Sequence, residues 1–224
     1  MSGISDSFQR PISYLRISVT DRCNLRCVYC MPPEGIALTP HSEILRYEEI
    51  LSVVRVSAEM GINRVRLSGG EPLAQPEFLL ALLRACKAEG IHTAVDTCGL
   101  AATRQVLAVA PFTDLFLYDL KLMDEARHRQ FTGVSNTLIL ENLKVLSGVH
   151  RQIWIRVPVI PGVNDSAADL EAAARFAEAT GRLQRRTLPT ISRPAPSPAA
   201  LPAASPAASG CRPSPSGRCA WPAP

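Results

Sequence analysis

A strand-like run followed by an amphipathic helical run recurs along residues 13–180, and this alternation restricts the possible folds more than any other feature. Ser13–Thr20 reads as a strand with Leu15, Ile17 and Val19 on one face. Arg64–Ser68, Ile91–Asp96, Asp114–Lys121 and Gln152–Pro158 read as further strands. Helical spacing fills the intervals. Arg46–Met60 aligns Tyr47, Ile50, Leu51, Val54 and Ala58, and Glu77–Glu89 aligns Leu79, Leu82, Leu83 and Cys86. Thr103–Val109, Asn136–Leu146 and Ser166–Thr180 carry similar patterns. Strands repeating every 25–40 residues or so, with a helix in each crossover, dictate βα units and parallel pairing. The expected fold is α/β, with a parallel sheet that is barrel-like or doubly wound. In either case chemistry belongs at the carboxyl ends of the strands.

The first such end carries Cys23, Cys27 and Cys30 in C-x3-C-x2-C spacing. Three thiolates within eight residues can converge on one inorganic centre. Zinc ordinarily takes four protein ligands, and Cys98 is the available fourth. An iron–sulfur cube held by three cysteines leaves one iron open, and the ligand count favours it. Cys86 lies on an apolar helical stripe and reads as an ordinary buried cysteine. The second strand ends in Gly69-Gly70-Glu71-Pro72, where two glycines permit close approach and Glu71 offers an acceptor. The third ends in Asp96-Thr97-Cys98-Gly99 and the fourth in Asp119-Leu120-Lys121. Alternation places Asp119 and Lys121 on one face and Tyr118 on the other, with Phe116, against the helices. Two inward charges, with Asp96 beside them, are either an internal ion pair or part of a site.

Composition narrows the class. With 46% hydrophobic residues the chain can bury a core. No apolar run reaches the roughly 18 residues of a membrane span, so no membrane partner is expected. Residues 1–11 lack a signal-peptide layout, which points to the cytoplasm and reduced thiols. The net charge of +4 is unevenly spread. Ala179–Pro224 holds six arginines and no acid, hence +6, leaving 18 basic against 20 acidic residues, hence −2. Ten of the 19 prolines also lie there. Residues 181–224 therefore read as a Pro/Ala/Ser/Arg-rich tail, either disordered or translated out of frame. A basic tail without aromatic interleaving does not point to nucleic acid. His41, His92, His128 and His150 are isolated and read as surface or packing residues. Asp124–Arg129 reads as a solvated helix face, and Arg156 as either a cofactor contact or a salt bridge.

Cys23-x3-Cys27-x-Tyr29-Cys30 followed by Gly69-Gly70-Glu71-Pro72 resembles the radical S-adenosylmethionine superfamily over residues 10–180. The resemblance implies a partial (β/α)6 barrel, here truncated near the sixth strand. It also implies a 4Fe-4S cluster on Cys23, Cys27 and Cys30, with S-adenosylmethionine chelated at the open iron. One electron then splits the cofactor to methionine and a 5′-deoxyadenosyl radical. Tyr29 would lie near the adenine and Glu71 would contact the methionine ammonium, with Gly69 and Gly70 also binding the cofactor. Residues 10–72, with Tyr14–Arg22 and Cys30-Met31-Pro32, resemble the GTP cyclase that opens molybdenum-cofactor biosynthesis, in which Arg16, Arg64 and Arg66 would meet the triphosphate. That family's second cysteine cluster is missing, since Cys211 and Cys219 stand alone. Residues 69–178 resemble activating enzymes of glycyl-radical enzymes, through Gly90–Thr93, Asp96–Gly99, Tyr118–Lys121, Gly133–Asn136 and Val157–Asp165. That resemblance assigns Asp96, Asp119 and Lys121 to S-adenosylmethionine, and Asp96, Thr97 and Asp119 to a monovalent cation. It implies a glycyl-radical enzyme as protein substrate, or GTP on the cyclase reading, and a flavodoxin- or ferredoxin-type electron donor. The two resemblances meet at Gly69–Pro72, which suggests a chimeric chain.

Overall fold

Six parallel strands lie side by side in sequence order, as expected when every crossover is helical and of one hand. The computed structural model describes residues 4–32 and 35–180, and the backbone of 188–191. The strands are β1 (Tyr14–Ser18), β2 (Arg64–Ser68), β3 (His92–Thr97), β4 (Leu115–Asp119), β5 (Ile153–Val159) and β6 (Leu188–Ile191). The helices are α1 (Tyr47–Glu59), α2 (Pro76–Ala88), α3 (Thr103–Val109), α4 (Glu125–Thr132), α5 (Thr137–Val149) and α6 (Ala167–Ala179). Sequential order selects the singly wound, barrel-like arrangement over the doubly wound one, because a doubly wound sheet reverses its strand order partway. At the place where the sequence ends the barrel, β6 adds a four-residue strand beside β5. The rest of the tail, with Cys211 and Cys219, lies outside the described residues.

One face of the sheet meets the helices. Val65, Leu67, Val95, Phe116, Tyr118, Ile153 and Ile155 point into the core with Leu79, Leu82, Leu83 and Cys86 of α2. Those four α2 residues are fully buried, and each leucine contributes roughly 2 kcal/mol by leaving water. The Tyr118 hydroxyl remains satisfied by donating to the Ile139 carbonyl at 2.7 Å. Helix starts follow local chemistry. Pro76 opens α2, Asp124 accepts from the Arg127 N–H at α4, and Ser166 accepts from the Asp169 N–H at α6. Gly133, at φ +80°, ends α4 in a conformation that favours glycine.

Two expectations are corrected. The third strand runs from His92 to Thr97 rather than from Ile91 to Asp96. The Ile91 N–H closes the turn after α2 on Cys86, while Thr97 still pairs with Tyr118. The charged run 124–129 is only partly solvated. His128 is buried with its Nδ1 2.8 Å from the Val134 carbonyl, and Arg127 crosses to Asp169 at 2.6 Å. His150 packs edge-on against Phe116 and its Nε2 lies 2.8 Å from the Thr113 carbonyl, which fits the packing reading.

Asp114, just before β4, ties the amino end of the sheet together. It accepts from the Thr93 N–H at 2.7 Å and pairs with Lys87. Burial opposes its charge, yet the Lys87 ammonium and the Thr93 N–H together hold its pKa below the ordinary 3.8. A depressed carboxylate pKa stabilises the fold above the unfolded value, and that contribution fades as pH falls through the folded one. Asp114→Asn should lower the unfolding free energy at neutral pH by about 1 kcal/mol, the pair being partly exposed. Urea midpoints measured against pH should show the gap to wild type closing below about pH 4.

Candidate functional site

The β1–β2 pairing does not stop at the strand ends. The Val19 N–H donates to Ser68, the Gly70 N–H to Thr20 and the Glu71 N–H to Arg22, each at 2.8 Å. The start of the cysteine loop is thus zipped to the Gly-Gly-Glu turn. A Cβ on Gly69 would stand 2.2 Å from the Thr20 oxygen, and one on Gly70 would stand 2.1 Å from the Arg22 oxygen. Both glycines are therefore required by chain-to-chain contact, whatever a ligand asks of them. The far side of the loop is fixed to the end of α4, where the Arg26 N–H donates to Thr132 at 2.7 Å and the Val28 N–H to Phe131 at 3.0 Å.

Between these anchors the three thiols are graded from inside to outside: Cys27 is buried, Cys23 intermediate and Cys30 exposed. Leu25, Cys27 and Cys98 form a small apolar cluster with Cys23 and Tyr29 against it. Burial pushes the Cys23 and Cys27 thiols up, and the nearby Lys121 ammonium pulls both back. Among the described residues no three His, Cys, Asp or Glu side chains close tightly enough to hold a single metal ion. Cys98, the sequence's candidate fourth zinc ligand, is engaged elsewhere. Its N–H donates to Glu71 Oε2 at 2.7 Å, and burial with the neighbouring Glu71 carboxylate pushes its thiol pKa well up. Cys86 is buried in the core, as its place on the stripe indicated.

Glu71 lies differently from the expectation of an acceptor open to a ligand. Its side chain is 2% exposed. Oε1 accepts from the Leu73 N–H at 3.0 Å and the Thr97 hydroxyl at 2.7 Å, while Oε2 accepts from Cys98. Burial raises its pKa, and these donors draw it back. The carboxylate braces the ends of β2 and β3. Thr97 belongs to the same brace, since its hydroxyl also accepts from the Gly99 N–H at 2.8 Å.

The opposite face of the sheet carries an ion-pair ladder across four elements. Arg66 of β2 forks onto Asp96 of β3 at 2.8 and 2.5 Å. Arg156 of β5 lies 3.4 Å from Asp96 and donates to Asp119 of β4 at 2.7 Å. Lys121 stands 3.7 Å from the other Asp119 oxygen. Burial disfavours the Lys121 charge, but Asp119 and the neighbouring thiols outweigh that and raise its pKa. The shared face of Asp96, Asp119 and Lys121 was legible from strand alternation. Arg66 and Arg156 as their partners were not, because the register that joins them is tertiary. Three asparagines were also missed as organisers. Asn136 donates to Leu122 and Met123, Asn142 to Gly99 and Ala101, and Asn164 to Lys121 and Pro158. Each pins a loop at the carboxyl end of a strand. Tyr29 is half-buried between the cysteine cluster and the Leu122/Ile160/Val163 cluster. Beside the loop opens a cavity of 440 Å³ lined by Arg16, Ser18, Cys30, Ser68, Gly69 and Gly70.

The family profile described as "Radical SAM superfamily" matches residues 17–177, and the chain belongs to that superfamily. It is 45% identical over 141 residues to the isethionate sulfite-lyase activating enzyme of Nitratidesulfovibrio vulgaris, covering 62% of this chain and 45% of that protein. It is 60% identical over 70 residues to the GTP 3',8-cyclase of Petrotoga mobilis, covering 31% of this chain and 22% of that protein. The crystal structure of Streptococcus suis SuiB bound to S-adenosylmethionine shares the fold at a TM-score of 0.61 and 19% identity, over 75% of this chain and 36% of that one. The chain spans about half the length of the curated relatives it matches.

Gly70→Ala should test the zipper. With a backbone oxygen in the way, the unfolding free energy should fall by about 3 kcal/mol. Cys27 should then react faster with a thiol reagent, and an unchanged denaturation midpoint would refute the close approach.

Proposed function

We propose that the protein is a radical S-adenosylmethionine enzyme that activates a glycyl-radical enzyme by abstracting hydrogen from a backbone glycine. One observation carries the reading: within a radical SAM chain, a three-thiol loop stands at the end of β1, within electrostatic reach of Lys121 on the charged face. The donor set fits an iron–sulfur cluster. It is all sulfur, Cys27 is buried and Cys23 partly so, and an ammonium group balances thiolate charge. Cys23, Cys27 and Cys30 would hold the 4Fe-4S cluster. S-adenosylmethionine would sit over the face carrying Asp96, Asp119 and Lys121, with Tyr29 toward its adenine and the Gly69–Glu71 backbone toward its methionine end.

The bound cluster would supply one electron, taken from a flavodoxin- or ferredoxin-type donor, to break the sulfur–C5′ bond. That chemistry would release methionine and 5′-deoxyadenosine as the glycine Cα loses hydrogen. The chain's own residues aim and shield. The Glu71 brace fixes the loop over the face, and the ion-pair ladder presents excess positive charge to the cofactor carboxylate. The likeness to an activating enzyme over 141 residues favours the glycyl-radical substrate. The cytoplasm would keep the three thiols reduced.

A second reading has its own support. The likeness to one GTP 3',8-cyclase reaches 60% identity over 70 residues, that to another spans 174 residues at 37% identity, and Arg16 lines the cavity beside Cys30. GTP cyclisation is the alternative that this supports, and a metal-binding chimera without activity is a third. Anaerobic reconstitution separates them. We expect about four irons per chain and a cluster signal altered by S-adenosylmethionine, both lost in Cys27→Ser. Bound zinc with no response would sink the proposal. 5′-Deoxyadenosine released with GTP, but not with a glycyl-radical partner, would move it to the cyclase.

A further inference from the structure

The resemblance to activating enzymes assigns Asp96, Thr97 and Asp119 to a monovalent cation, and these residues do not fit one here. A hard cation needs several oxygens with negative charge to spare. Both Asp96 oxygens are taken by the Arg66 fork, at 2.8 and 2.5 Å. Asp119 is shared between Arg156 at 2.7 Å and Lys121 at 3.7 Å. Thr97 follows Asp96 in the strand, so its hydroxyl lies on the other face, in the Glu71 brace. Three cationic side chains already face two carboxylates. Adding a metal ion among groups whose side chains are 12–25% exposed would leave two uncompensated charges in poor solvent.

Register explains how Arg66 reaches this position. Arg66 stands opposite Ala94 on β3, and Asp96 is the next residue of β3 on the same face. The small Ala94 side chain leaves the guanidinium free to pass along β3 and meet Asp96 in a planar fork. Arg16, in register with Arg66 on β1, instead donates to Ser68 and stays off the carboxylates.

We infer that the guanidinium of Arg66, with Arg156 beside it, replaces the monovalent cation, so that this chain binds S-adenosylmethionine without one. The ladder's net positive charge then meets the carboxylate of the amino-acid end directly. The inference rests on the proposed cofactor, and the test has one arm that does not need it.

In the first arm, the reconstituted full-length protein is titrated with S-adenosylmethionine by calorimetry in potassium, sodium or tetramethylammonium chloride of equal ionic strength. The affinity should agree among the salts within about twofold, whereas a gain of about tenfold or more with potassium would overturn the inference. No binding in any salt would count against the proposed function and leave the decision to the second arm. There, thallium(I), a spectroscopic stand-in for potassium, is titrated by NMR into wild type, Arg66→Ala and the milder Arg66→Gln. The wild type should show no saturable binding, and the Arg66 variants, with Asp96 released, should gain it. Saturable binding by the wild type that Asp96→Asn abolishes would overturn the inference. So would folded Arg66 variants, checked by circular dichroism, that gain nothing.

Discussion

The buried Glu71 carboxylate is the knot from which the site hangs. Its N–H continues the β1–β2 pairing into the cysteine loop, and its two oxygens gather donors from Leu73, Thr97 and Cys98. A carboxylate in such a place is tolerable only because every bond it makes is to a donor held by the chain. It fixes the end of β3 against the loop that carries the thiols, together with the Asn24 amide that donates to the Leu100 carbonyl at 2.6 Å. The glycines before it serve the same end, since the backbones at Thr20 and Arg22 come too close for any side chain there. Cys98 and Thr97 are thereby committed to structure, although both stand at a strand end where chemistry is expected.

The ion-pair ladder on the other face is a second, independent framework. Arg66, Asp96, Arg156, Asp119 and Lys121 come from β2, β3, β5, β4 and the turn after β4. Partly buried charges are costly alone, so each fixes the next, and the excess cation lies on the side facing the proposed cofactor. The segments before and after the Gly69–Pro72 turn meet in both frameworks. Arg66 lies before that turn and Asp96 after it, and they form a bidentate pair. The Glu71 knot joins the same two parts.

Much of the fold was legible because periodicity is a local property. The α2 stripe of Leu79, Leu82, Leu83 and Cys86 is buried as its spacing indicated. So is the division of the fourth strand into a helix-facing Phe116 and Tyr118 and an opposite-facing Asp119. Boundaries were less legible, as the one-residue offset at His92–Thr97 shows, since a strand ends where its neighbour's register ends. Local charge reads the run 124–129 as a solvated face and does not reveal that α6 and Val134 lie against Arg127 and His128.

The sequence alone determined the order of the first five strands and their helices, and the three thiols that share a loop at one end of the sheet. Each follows from spacing along the chain. Only the tertiary structure decided that Glu71 and Thr97 brace the strand ends and that Cys98 serves Glu71. It also decided that Asp96 and Asp119 are matched by Arg66 and Arg156. Those outcomes depend on which side chains parallel pairing brings within hydrogen-bond reach across strands distant in sequence, and single-strand periodicity does not encode that register.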